Sequence, residues 1–287
     1  MTKIWDEAPH NAFTDLARHD GRWYVAFREG SAHVSPDGKV RVIRSKKGVQ
    51  WEPWLLLERA GDDLRDPKLS VNPNGDLVLL AAAARPSGHQ TMMWTLPNAV
   101  PKPVADLNYW LWRIAWRGRE AFGIGYRTSK DQRGVRLYKF NGAEFVAWVG
   151  DLNVDGYPNE SAIRFRADGT AIALLRRDPG NAMVGAAKPP YREWTWREAN
   201  ARVGGPNFIA LPDGRFVAAV RLYDGAQRTS LCWFDPEKAA LTEFLKLPSS
   251  GDSSYAGLAV DGRELLVSYY SSHEGKTAIY LARVNWK

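Results

Sequence analysis

A glycine-bearing turn recurs six times along this chain, each time between two apolar alternations: Asp20-Gly21, Asn74-Gly75, Arg117-Gly118, Asp168-Gly169, Asp213-Gly214 and Asp261-Gly262. A dipeptide of this kind between alternating runs marks a tight β-hairpin, because its backbone twist matches that of the flanking strands. Successive glycines lie 54, 43, 51, 45 and 48 residues apart, so six such units nearly fill the 287 residues. Self-similarity at a period near 50 residues signals a repeat architecture, in which each unit buries its faces only against its neighbours.

Each unit continues past its hairpin into two further β-like runs. These are Lys39–Ser45 and Gln50–Glu58 in the first unit, Val135–Phe140 and Glu144–Val149 in the third, and Thr229–Phe234 and Ala240–Leu247 in the fifth. Four antiparallel strands per unit predict an all-β, six-bladed β-propeller. The sixth unit stops after three strands, the last being Thr277–Val284. The N-terminal Thr2–Asp6 is expected to supply its outer strand and close the ring, which removes an open sheet edge. Residues 1–287 read as one domain, with Pro97–Pro103 as a connection between blades. The segment Pro189–Ala201 fits either a short helix or an irregular outer strand.

The formal charge is +7, from 39 basic and 32 acidic residues that are scattered along the chain. With no basic tail or lysine block, nucleic acid is not an expected partner, whereas an anionic ligand is compatible with the balance. Thirteen tryptophans suit aromatic packing between sheets, and also sugar binding. Cys232 is the single cysteine, in a Ser-Leu-Cys-Trp-Phe run that reads as a buried strand. No apolar run reaches 18 residues, so no membrane-spanning helix is expected. The opening MTKIWDEAPHNAF lacks the apolar core of a secretion signal, which predicts a cytoplasmic protein; a chain whose leader had been removed would read the same.

In a propeller the innermost strand of each blade starts near the central channel. The polar residues at those starts are His10-Asn11 with Thr14-Asp15, Arg65-Asp66, Arg113 near Trp110, Asn159-Glu160, Gly205-Pro206-Asn207 and Asp252-Ser253-Ser254-Tyr255. The returning second strands end in Arg28-Glu29, Arg127, Arg176-Arg177, Arg221 and Tyr269-Tyr270. Neighbours on a strand point to opposite sides, so only one of Arg176 and Arg177 reaches the rim; Arg177 is the one expected there. Arginines that share a channel repel one another unless acids or a bound anion offset them, and Asp15, Asp66 and Glu160 are the acids available. No His, Cys or Asp cluster shows metal-ligand spacing, and one cysteine excludes a structural zinc site. No nucleotide-binding glycine motif is present, and no metal or other cofactor is expected.

At this level of detail the chain resembles the sialidase superfamily, the six-bladed propeller glycoside hydrolases with Asp-box repeats. Arg44-Ser45-Lys46-Lys47-Gly48-Val49-Gln50-Trp51 is similar to an eroded Asp box, with Lys47 where an acid is usual. Asn159-Glu160, followed by Asp168-Gly169 and Arg176-Arg177, is similar to the glutamate strand of that family with its downstream arginine. Ser253-Ser254-Tyr255-Ala256-Gly257-Leu258 is similar to the segment that carries its tyrosine nucleophile, and Arg221 falls where another substrate-binding arginine belongs. Two features depart from the pattern. The first inner strand, Asn11–Leu16, has no arginine, and the loop after the first hairpin offers Glu29 or His33 in place of an aspartate.

The resemblance implies a glycan substrate, with an exo-glycosidase acting on a terminal acidic sugar. In that reading Glu160 and Tyr255 form the reactive pair, and Asp66, Glu29 or His33 is the proton donor. Arg28, Arg65, Arg113, Arg177 and Arg221 would hold the sugar, assisted by His10, Asp15, Asn159 and Tyr270. A phenol with a pKa near 10 needs a base to become a nucleophile, and an adjacent carboxylate supplies one. Guanidinium forks match a sugar carboxylate in two parallel bonds. Two alternatives stand beside it: a polysaccharide lyase, with Tyr255 or His33 removing a proton next to a uronate carboxylate, and a non-catalytic glycan-binding propeller.

Overall fold

The computed structural model describes residues 1–98, 100–129 and 132–286 of the protein. Among them there is no helix, and 24 strands form six separate four-stranded sheets. Blade one comprises β2 (His10–His19), β3 (Arg22–Gly30), β4 (Lys39–Ser45) and β5 (Glu52–Leu57). Blade two is β6 (Asp63–Val71), β7 (Leu77–Arg85), β8 (Gly88–Leu96) and β9 (Lys102–Val104). Blade three is β10 (Tyr109–Arg117), β11 (Glu120–Arg127), β12 (Val135–Phe140) and β13 (Phe145–Val149). Blade four is β14 (Tyr157–Phe165), β15 (Ala171–Asp178), β16 (Met183–Ala187) and β17 (Thr195–Glu198), which settles Pro189–Ala201 as an outer strand with its lead-in. Blade five is β18 (Val203–Ala210), β19 (Phe216–Leu222), β20 (Arg228–Asp235) and β21 (Ala240–Lys246).

Blade six joins the two ends of the chain. It pairs β22 (Ser253–Asp261), β23 (Glu264–Ser271) and β24 (Ala278–Asn285) with β1 (Thr2–Trp5), which runs antiparallel to β24 as its outer strand. The expected closure is therefore present. Trp5 reinforces it by donating its indole N–H to Glu29 at 2.7 Å and packing beneath the Arg41 guanidinium. At the first-hairpin turn both Asp20 (φ 45°) and Gly21 (φ 69°) are left-handed, as a two-residue hairpin of matching twist requires.

The apolar faces of each blade are buried against its neighbours. One cluster joins blades one and two through Val42, Leu64, Leu79 and Trp94, and another joins blades four and five through Ile172, Phe208, Cys232 and Phe234. The largest runs from the blade-six and blade-one seam to the pore, and includes Phe13, Trp112 and Tyr255.

One irregularity repeats in every blade. The register between the two innermost strands slips after Ala12, Arg65, Leu111, Pro158, Gly204 and Ser254. At each slip two inner-strand residues oppose a single residue of the second strand, which is a β-bulge. The six pairs are Phe13-Thr14, Asp66-Pro67, Trp112-Arg113, Asn159-Glu160, Gly205-Pro206 and Tyr255-Ala256. Proline at two of them costs no ladder hydrogen bond, because a bulge already interrupts the pairing. The bulges interrupt the two-residue alternation of the inner strands at the positions that supply Phe13, Asp66, Trp112, Glu160 and Tyr255.

Immediately beyond the sixth bulge the inner strands of blades six and one nearly touch. A Cβ on Gly257 would lie 2.2 Å from the Leu16 nitrogen and 2.7 Å from the Asp15 carbonyl carbon. Gly257→Ala is therefore expected to destabilise the ring by about 1–3 kcal/mol, read as a lower denaturant midpoint; an unchanged midpoint would show that the seam has slack.

Candidate active site

The bulges carry left-handed backbone at residues that are not glycine: Phe13 (φ 62°), Asp66 (φ 51°), Ser254 (φ 98°) and Tyr255 (φ 51°). Such strain persists where the surroundings enforce it, and it gathers at functional sites. Blade five meets the same demand with Gly205 (φ 56°), where a Cβ would press on the Tyr255 ring at 3.0 Å. Phe13 and Gly205 both lie against the Tyr255 ring, and Glu160 of blade four reaches the Tyr255 hydroxyl.

The Tyr255 hydroxyl donates to Glu160 Oε1 at 2.5 Å, and the Gly205 amide donates to Glu160 Oε2 at 2.8 Å. Both side chains are buried, at 8% and 7% exposure. Arg176 donates through Nη1 to Glu160 Oε1 at 2.9 Å, lies 3.4 Å from the phenol oxygen, and pairs with Asp178 at 2.7 Å. Arg221 covers the Tyr255 ring from 5.5 Å and also faces Tyr223, and no carboxylate among the described residues pairs with it. Phe13, Trp112 and Tyr270 complete the wall around the phenol, with ring centroids 5.2, 5.9 and 5.9 Å from it. Lys68 points its ammonium at Trp112 (4.8 Å) and Tyr255 (6.0 Å), and its hydrogen bond goes to the Pro67 carbonyl.

Burial and charge set the protonation states. Burial raises the Glu160 pKa, but Arg176, the Tyr255 hydroxyl, the Gly205 amide and Arg221 outweigh it, and the net direction is down. Glu160 is thus an anion at neutral pH. Burial, reinforced by the Glu160 charge and only partly opposed by Arg176 and Arg221, pushes the Tyr255 phenol well above 10. Asp66 is raised to about 6 by burial, against the pull of Lys68 and Arg65. Burial lowers Lys68 to about 8, with Asp66 acting the other way. The site therefore pairs a carboxylate that stays charged with a carboxyl that stays protonated into the weakly acid range, the division of labour that acid–base chemistry at two carboxyls uses.

The remaining residues singled out in the sequence divide into those that reach the pore and those that do not. Arg65 stacks over Phe13 and lies 3.4 Å from Asp63 and 3.8 Å from Asp66. Arg113 and Asp15 form a buried pair at 2.8 Å, and the same Asp15 oxygen accepts the Leu69 amide. Asn159 holds the bulge in shape by accepting from the Glu160 amide at 2.7 Å and donating to Asp178. Tyr270 donates to Asp252 at 2.7 Å, and His10 and His33 lie 2.9 and 2.6 Å from the other oxygen of that carboxylate.

Three placements correct the expectation. Arg176, not Arg177, reaches Glu160 and Tyr255. The bulge places Asn159 and Glu160 opposite Arg176, while Arg177 pairs with Pro158 and spends its guanidinium on Asp155, Glu198 and the Asn181 carbonyl. Arg28 is fully buried between Asp63 (2.7 Å), the Ala32 and Ser35 carbonyls and the Ser35 hydroxyl, so it fastens the loop that follows its strand and offers no donor to a ligand. Glu29 lies under the closing strand, bound by Trp5 and Arg41. Lys68 was not singled out, and Asp252 was named only among the polar residues at the sixth inner-strand start. Lys68 follows the second bulge, where simple alternation no longer assigns faces, and Asp252 meets His10 and His33 only across the ring seam.

No protein-family model matches the chain, and no curated protein matches it by sequence. Solved structures do. A protein of unknown function from Dyadobacter fermentans superposes with a TM-score of 0.85 at 17% identity, covering 98% of this chain and 96% of that one. An α-L-arabinofuranosidase of Fusarium graminearum, solved with arabinobiose, gives 0.74 at 11% identity, over 99% and 96%. A sialidase described as Hadza microbial gives 0.71 at 15% identity, over 96% of this chain and 66% of that one. The fold is one shared by propeller glycoside hydrolases. At these identities the likeness fixes the scaffold, and the reading of the site rests on its own geometry.

The raised Asp66 carboxyl has a direct signature. In protein labelled with ¹³C at aspartate side chains, one resonance is expected to titrate near pH 6, well above the usual aspartate range, and to vanish in Asp66→Asn. Titration of every aspartate near 4 would show that Asp66 is solvated.

Proposed function

We propose that this protein is a sialidase-like retaining exo-glycosidase that removes a terminal acidic sugar from a glycan. The observation that carries the reading is the Tyr255–Glu160 contact at 2.5 Å beside Arg176 and the unpaired Arg221. In the first step the Tyr255 oxygen attacks the anomeric carbon as its proton passes to Glu160. Asp66, protonated, gives its proton to the departing glycosidic oxygen. In the second step the Asp66 carboxylate takes a proton from water, which attacks the same carbon, and Glu160 returns the phenolic proton. Both halves are acid–base reversals of each other, as retention requires. A tyrosine suits a sugar carrying its own negative charge, which would repel a carboxylate nucleophile, and Arg176 with Arg221 would hold that charge. Sialidases and arabinofuranosidases on this scaffold are consistent with a glycan substrate.

Aryl glycosides of acidic and neutral sugars test the reading. Tyr255→Phe is expected to lower kcat by at least about 10³-fold. Full activity in that variant would remove the phenol from the mechanism, and an unsaturated uronate product would indicate elimination instead. Asp66→Asn is expected to slow substrates with poor leaving groups by about 10²- to 10⁴-fold while sparing activated aryl leaving groups.

The pH profile follows from the same groups. Activity (kcat/KM) should fall as pH rises through about 6, where Asp66 loses its proton, and fall again at low pH as Glu160 gains one. The alkaline limb should disappear in Asp66→Asn; an unchanged profile would assign the donor elsewhere. Arg221→Ala should weaken binding of acidic sugars by about 10- to 100-fold, the worth of a charge-assisted hydrogen bond, and leave neutral sugars unaffected.

A further inference from the structure

The seam between blades six and one gathers nitrogen and oxygen donors that the proposed glycosidase chemistry does not use. His10 begins β2, His33 sits in the loop after β3, and Asp252 directly precedes β22, so 242 residues separate the ends of the set. His10 Nε2, His33 Nδ1 and Asp252 Oδ2 all lie within 4.8 Å of one another. We propose that these three atoms form a binding site for a first-row divalent cation of the zinc type.

Several independent features favour a metal site over a chance hydrogen-bond cluster. The donor set, two imidazoles and one carboxylate, is borderline in character, and it suits zinc or cobalt better than calcium or magnesium, which take oxygen cages. Three protein donors leave a fourth position for water or a ligand oxygen, as open zinc sites do. The outer contacts are built in as well. Tyr270 donates to Asp252 Oδ1 at 2.7 Å, so the other oxygen is the one directed at the histidines. A hydrogen bond of this kind fixes the orientation of a ligating carboxylate. Phe13 packs its ring against both imidazoles, at 6.3 Å from His10 and 5.0 Å from His33, and the two imidazoles meet edge to face at 5.6 Å.

The position of His33 is itself determined by a buried charge. Arg28 donates to the Ala32 and Ser35 carbonyls on either side of it and is anchored by Asp63. This gives the buried arginine a purpose that sugar binding does not: it holds the loop that presents His33. The His33 side chain is still half exposed, at 49%, so the open side of the cluster faces solvent at the pore mouth. The present separations of 2.6 and 2.9 Å are those of hydrogen bonds. Four-coordinate zinc with bonds near 2.0 Å spaces its ligands about 3.3 Å apart. Binding would therefore open both contacts slightly, that of the half-exposed His33 by more than that of His10.

The test is equilibrium binding to chelator-treated full-length protein without a histidine tag, using Zn²⁺ and Co²⁺ as probes and Ca²⁺ and Mg²⁺ as contrasts. The expected result is one Zn²⁺ or Co²⁺ per chain, an intense visible absorption for the Co²⁺ form that marks four-coordination, and no comparable uptake of Ca²⁺ or Mg²⁺. His33→Ala, at a half-exposed position, should weaken the binding at least 10-fold without loss of thermal stability, and Asp252→Asn should do the same. His19→Ala, in the turn region of blade one, should leave it unchanged. Absence of stoichiometric Zn²⁺ and Co²⁺ binding, or binding that survives both His33→Ala and Asp252→Asn, would overturn the proposal. None of these readouts uses hydrolysis, so the metal site and the glycosidase reading can fail separately.

Discussion

The pore depends on a register break between the two innermost strands of every blade. A regular inner strand would send alternate side chains between the blades and leave the channel lined by whatever lay at its edge. Two residues set against one, at the same place in all six sheets, bend each strand and free a pair of side chains from that alternation. The scaffold repeats, and the chemistry does not. The six pairs are occupied by Phe, Asp, Trp, Asn, Gly and Tyr in the first place and Thr, Pro, Arg, Glu, Pro and Ala in the second. A symmetric backbone thus presents an asymmetric set of groups, and closure by β1 holds blade six, with Tyr255, against blade one.

Concentrating charge in a buried channel creates a problem that the structure solves unevenly. Asp15 is matched by Arg113, and Glu160 by Arg176, which leans on Asp178 in turn. An ion pair out of water repays its desolvation only when geometry and further hydrogen bonds are good, and here Gly205, Tyr255, Asn159 and Leu69 supply them. Among the described residues no carboxylate forms an ion pair with Arg221 or Lys68, although Asp66 lies near enough to Lys68 for their charges to act on each other. Each of these two cations faces aromatic rings, which offset a cation only in part. The surplus is positive and lies beside the reactive pair, so an anion arriving there would relieve a cost already present in the free protein.

The fold was legible because its signals are local. Glycine turns such as Asn74-Gly75 and Asp261-Gly262 mark each innermost hairpin, and the missing fourth strand of the last unit pointed to Thr2–Asp6, of which Thr2–Trp5 pairs with β24. The contact between Glu160 and Tyr255 was legible for the same reason, since both sit at inner-strand starts. The errors came from two physical sources. Strict alternation favoured Arg177, but a bulge resets the register that alternation relies on, and Arg176 stands opposite it. Proximity to the channel favoured Arg28 and Glu29, but their nearest partners are within the protein: the loop of residues 32–35 for one and the closing strand for the other. The His10, His33 and Asp252 set could not be seen as spacing, because only ring closure makes it a cluster.

A buried phenol whose pKa is driven above its ordinary value looks at first like a poor choice for the nucleophile proposed above. The same environment means that it would work only in concert. The Glu160 charge that raises the phenol pKa is the charge that would receive its proton, and the penalty on a phenolate next to a carboxylate would then disappear. Free phenolate therefore never accumulates, and the resting site stays protonated at Tyr255 and ionised at Glu160. In that mechanism proton transfer would become favourable as bonding to the anomeric carbon draws electron density from the oxygen, while Arg176, within 3.4 Å of that oxygen, and Arg221, over the ring, would stabilise what negative charge develops. Under the proposed mechanism the raised pKa would act as a gate, keeping the tyrosine inert until an electrophilic carbon is in place.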